Sequence, residues 1–131
     1  MFKKYIFAVI VAFIAISLMD WLIHGNILMS YYEETKELWR PEKEMKVWLM
    51  YLTSFIYILG FVYIYLKFIC NKSALRGFLF GLTWGFITGI SMGYGTYSYS
   101  PIPYALALGW FLATLVEMST VGWLTGLIVK E

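Results

Sequence analysis

Four long apolar runs occupy nearly the whole chain, at roughly 5–28, 47–69, 75–92 and 104–129. Each meets or approaches the ~20 residues that a helix needs to cross ~30 Å of hydrocarbon. The polar stretches between them are too short to build a soluble domain. Charged residues make up only 14% of the 131 positions and hydrophobic ones 61%, against about 25% charged in an average soluble domain. A water-soluble protein of this size has too little interior to hide that apolar surface. The pattern predicts an all-α, integral membrane four-helix bundle, a single domain over 1–131, with residues 29–46 as an outer cap.

Lys3 and Lys4 ahead of an apolar stretch have the look of a signal peptide. The run continues through Trp21, Leu22 and Ile23, however, beyond the 7–15 residues of a usual h-region, so a retained first span is expected. Lys3, Lys4, Lys67, Lys72, Arg76 and Lys130 fall on one side of the predicted topology with a single acid, Glu131. The other side mixes Lys36, Arg40, Lys43 and Lys46 with five glutamates. The positive-inside rule then places both termini in the cytoplasm of a cell (inner) membrane. The net charge of +2 gives no reason to expect nucleic acid, and the lone Cys70 can form neither an intrachain disulfide nor a Cys/His zinc pattern.

In the outer cap, Ser30 through Glu33 reads as a capping box opening a short amphipathic helix to about Trp39. Tyr32 and Trp39 are expected at headgroup level. Pro41 suits the first turn of the next helix, and Arg40 is expected to pair with a neighbouring glutamate. In the third run, Gly77, Gly81, Gly85, Gly89 and Gly93 recur every fourth residue. They leave one stripe bare for a second backbone to approach. The expected mate is the ridge of Ala105, Gly109 and Ala113 in the fourth run, with oligomerisation as the other use of such a stripe.

Asp20, His24 and Glu117 are the ionisable groups that interrupt the spans. A carboxylate near the bilayer centre costs about 2.5–3.5 kcal/mol unless paired or protonated. Asp20 and His24, four apart, share a helical face. Counting 1.5 Å per residue from the flanking lysines puts Asp20 about 24 Å and Glu117 about 20 Å above the cytoplasmic boundary. The trio can therefore meet, with Glu117 aimed toward Gly85 and Gly89. Three uses fit: a structural clasp, a proton or cation path, or a metal held by one imidazole and two carboxylates, suited to iron, manganese or zinc. No cofactor is predicted on any other ground. No serine or threonine has a histidine base at recognisable spacing.

The outer loop resembles that of a loosely defined group of small bacterial four-span membrane proteins. The likeness rests on His24-Gly25, the Tyr31/Tyr32 pair, Thr35 and Arg40-Pro41-Glu42, with Arg76-Gly77 and Pro101-x-Pro103 further on. It implies that His24 and the Arg40-Pro41 segment belong to a shared architecture. The group has no assigned function, so it implies no activity and no ligand, and the five-glycine stripe is not part of its pattern. Small size and abundant packing residues lead us to expect a non-catalytic accessory or assembly subunit of a larger membrane complex. The alternative is an oligomeric channel or carrier for protons, cations or small solutes that uses the polar trio.

Overall fold

The computed structural model describes all 131 residues, and the chain is helical without strands. Helix α1 (Phe2–Leu22) runs into a π-helical turn over Ile23–Ile27, followed by the short α2 (Met29–Glu34). After 3-10 turns at Lys36–Leu38 and Glu42–Glu44 come α3 (Val47–Phe68), α4 (Ala74–Ile90) and α5 (Tyr104–Ile128). By length and composition three segments are long and apolar enough to cross a membrane: Phe2–Ile27, Val47–Phe68 and Tyr104–Ile128. At 17 residues α4 is shorter, and a second π-helical turn at Ser91–Gly95 extends it.

Contacting long helices are antiparallel. Tyr5 donates to the Leu59 carbonyl and Phe13 meets Phe55 edge-on, which pairs α1 with α3. The helix ends joined by the 29–46 segment therefore lie at one end of the bundle, here called the capped end. Helix α5 lies at the centre. Half of its apolar window is buried, against about a fifth for the windows of α1 and α3, whose remaining faces are apolar and exposed.

The glycines of α4 explain the tightest pairing. A Cβ at Gly85 would lie 2.9 Å from the Thr114 carbonyl oxygen, at Gly89 3.0 Å from that of Phe111, and at Gly93 2.5 Å from that of Ala107. Gly77 and Gly122 each set their Cα against the other's carbonyl oxygen, the arrangement in which Cα–H···O contacts form. Side chains are thus absent where the backbones touch, and dispersion between the two helices replaces them. On its other side α4 presents aromatic rings to α3. Phe80 stacks 4.8 Å from Phe61, and Trp84 donates to the Tyr57 hydroxyl at 2.7 Å while Tyr57 reaches Thr88.

Several sequence expectations need correction. The ridge on α5 that meets α4 is not Ala105–Gly109–Ala113 but Ala107, Phe111, Thr114, Met118, Gly122 and Gly126. At 100° per residue the expected ridge lies on nearly the opposite side of α5, and Gly109 instead receives the Leu28 side chain. Ala105 is half-buried and Ala113 buried. The Ser30–Glu33 capping box does not form: Leu28 is the N-cap of α2, with no side-chain cap bond. The cap is not one continuous helix to Trp39, because the backbone leaves the helical region at Thr35 (φ −116°, ψ 25°) and only a 3-10 turn follows before Trp39 is extended. Pro41 starts a 3-10 turn rather than α3. Arg40 is exposed and unpaired; the ion pair among lysines and arginines is Lys72–Glu131, and Asp20 lies 3.7 Å from the His24 ring. An exposed guanidinium in water gains little from pairing.

Candidate functional site

Asp20 sits on the last regular turn of α1 and His24 on the π-helical turn that follows. In that turn the Leu28 amide donates to the Ile23 carbonyl five residues back at 2.8 Å. Asn26 also reaches back, from Nδ2 to the Trp21 carbonyl. Such a turn inserts one residue into the helical register and is frequent where a site re-aims its side chains. Here His24 remains beside Asp20, with Nε2 3.7 Å from Oδ1, while Leu28 is swung onto Gly109.

Glu117 comes from the middle of α5, roughly 120° around that helix from the line that meets α4. Its carboxyl group therefore faces α1 and not the Gly85–Gly89 stretch, which meets Thr114, Leu115, Phe111 and Met118 instead. One donor atom from each of Asp20, His24 and Glu117 lies within 4.8 Å of the others. Their exposures differ. The Asp20 and His24 side chains are 39% and 36% exposed, whereas Glu117 is 5% exposed. Its Oε1 is buried with no hydrogen-bond partner, and so is Ser17 Oγ, one turn before Asp20 on the same face. Buried polar atoms without partners are rare enough to need an explanation.

A lid from the capped end completes the site. Tyr32 Oη is 2.7 Å from His24 Nδ1 and accepts the Trp110 indole N–H at 2.6 Å. Trp39 packs edge-on against Tyr32 and tilted against Trp110, and its own N–H donates to Thr35 Oγ1 at 2.9 Å. Burial pushes the Tyr32 phenol up to about 12, with the neighbouring Asp20 and Glu117 carboxylates acting in the same direction. The phenol thus keeps its proton and can donate it to a neutral His24 Nδ1, which leaves Nε2–H facing Asp20. Tyr32 and Trp39 therefore cover a polar site. Sequence reading missed this role, and Trp110 with it. The one available signal was the Thr35–Trp39 spacing of four, which says that two side chains meet but not what they cover.

Towards the opposite end the site has an apolar floor. Ile16 and Val121, one turn away from Asp20 and Glu117, are buried in a core with Ala8, Ala12, Ile58, Phe61, Val62 and Met118. No family model, curated protein or solved structure matches the chain. Its function has to be argued from the site itself.

Proposed function

We propose that the chain is a four-span integral protein of the cell membrane, with α4 as the third crossing and both termini cytoplasmic. In this reading it is a non-catalytic accessory subunit of a larger membrane assembly, and it holds a cation, proton or metal, at a dead-end site near its outer surface. The convergence of the partner-less Glu117 Oε1 with Asp20 and His24 above an apolar floor carries the proposal. Two facing carboxylates without a lysine or arginine need a positive charge between them in a medium of low dielectric.

The fourth crossing is supported by the pairing of α4 with α5 from Gly77–Gly122 to Gly93–Ala107, nearly end to end. A helix aligned along a spanning helix shares its depth. The Lys72–Glu131 ion pair, 2.6 Å long, joins the α3–α4 turn to the end of α5 at the basic, uncapped end. The channel alternative lacks a polar line through Ile16, Met118 and Val121, each at most 5% exposed.

Native mass spectrometry of the gently solubilised protein, with metal analysis of the same sample, tests the proposal. Co-migration with larger membrane proteins is the expected result. A free homo-oligomer that passes protons or cations in proteoliposomes, with flux lost in Glu117→Gln, would overturn it in favour of the channel.

A further inference from the structure

Resting on the cation-site reading, we propose that Asp20, His24 and Glu117 bind one divalent first-row transition cation of the zinc, manganese or iron class. His24 Nε2 and one oxygen of each carboxylate are the protein ligands, and the remaining positions are left to water or a small ligand.

Four features of the site carry this. The first is the donor set. One imidazole with two carboxylates suits zinc, iron or manganese, whereas magnesium and calcium prefer oxygen alone. The soft thiolate that would favour copper(I) is absent, since Cys70 lies in the α3–α4 turn at the opposite end.

The second is spacing. Metal–ligand bonds of about 2.0–2.2 Å put tetrahedral ligand atoms about 3.3–3.6 Å apart. His24 Nε2 and Asp20 Oδ1 are 3.7 Å apart, and the whole set lies within 4.8 Å. Small rotations of the two carboxyl groups close that difference without moving a helix.

The third is the support behind the histidine. A ligating imidazole nearly always donates its other N–H to an oxygen that fixes the ring. Tyr32 Oη stands 2.7 Å from Nδ1 and is itself fixed by the Trp110 N–H. On binding, the imidazole proton moves from Nε2 to Nδ1 and Tyr32 changes from donor to acceptor. The ring stays where it is.

The fourth is charge and access. No lysine or arginine pairs with either carboxylate. A divalent cation neutralises both, while a single proton neutralises one. The part-exposed Asp20 and His24 leave the site open on one side, and the buried, partner-less Glu117 oxygen closes the inner side.

The test uses the full chain in lipid nanodiscs, stripped with chelator and titrated with Zn²⁺ and Co²⁺. Co²⁺ reports its coordination through its visible absorption bands. One ion per chain is expected, with affinity at least ~10-fold weaker in each of Asp20→Asn, His24→Gln and Glu117→Gln. Replacing Glu42 and Glu44 by Gln in the exposed loop should change nothing. Binding that survives all three site variants, or is lost with the loop variant, overturns the proposal. Should a variant fail to fold, the wild-type cobalt spectrum still decides: bands of an all-oxygen octahedral ion, without a nitrogen ligand, overturn it. Absence of metal binding together with a pH-dependent Trp fluorescence change that Glu117→Gln abolishes overturns the metal and retains a proton site. Absence of both overturns the cation-site reading as well.

Discussion

Replacing Gly81 by Ala should separate α4 from α5, and the size of the effect follows from the geometry. A Cβ there would lie 2.8 Å from the Met118 carbonyl carbon and 3.1 Å from the Ser119 Cα, and closer still to the Met118 carbonyl oxygen. Ordinary contact begins at 3.4 Å. All three obstacles are backbone atoms of a continuous helix, so none can turn aside as a side-chain tip would. The helices have to part, and contacts from Gly77 to Gly93 loosen together. Overpacking of this kind costs about 1–3 kcal/mol. The upper part of that range is expected here, even after the ~0.5–1 kcal/mol that alanine gains over glycine within a helix. Two internal controls share the chemistry but not the obstruction. At Gly60 nothing lies within 4 Å, so Gly60→Ala should be neutral or slightly stabilising. At Gly109 the obstacle is the end of the Leu28 side chain, 2.9 Å away, which can rotate, so Gly109→Ala should cost about 1 kcal/mol or less. Reversible unfolding in mixed micelles with rising SDS fraction, followed by Trp fluorescence, ranks the three. A Gly81→Ala protein as stable as Gly60→Ala would refute the argument that backbone contact, rather than side-chain burial, holds α4 to α5.

Tyr32→Phe removes the acceptor of the Trp110 N–H and the partner of His24 Nδ1. A loss of about 1–3 kcal/mol with a shifted Trp emission is expected, and an unchanged spectrum would count against the lid. The exposed, free Cys70 should resist a membrane-impermeant maleimide in intact cells and react after permeabilisation; labelling from outside would reverse the proposed orientation. Glu131 is held below its ordinary 4.5 by the hydrogen bond from Lys72. A lowered carboxylate contributes stability that is present above pH ~4.5 and is lost as pH falls through its native value. Acid should therefore loosen the end of α5 in the wild type, and Glu131→Gln should flatten that dependence in hydrogen exchange of residues 125–131.

The apolar run lengths and the absence of soluble mass made the helical architecture legible, because segment length and hydropathy are local quantities. Of the four spans expected from them, three are long and apolar enough to cross a membrane. The four-residue spacing of the glycines likewise placed a bare stripe on one face of α4. The sequence did not say which face of α5 would meet it, and a wheel drawn from small residues chose the wrong one. Backbone approach is decided by both surfaces at once, and Thr114 and Met118 can supply carbonyl oxygens to a glycine groove as well as alanine can.

The polar site divides in the same way. Asp20, His24 and Glu117 were conspicuous because ionisable groups are costly in hydrocarbon, and spacing alone joined the first two. That Glu117 turns toward α1, and that Tyr32 and Trp110 close over His24, depended on a π-helical turn and a folded cap with no local signature. Composition and hydropathy marked out helices that could cross a membrane and the unusual ionisable residues they carry. Tertiary packing decided which of them meet, since only the assembled bundle sets the rotation of one helix against another.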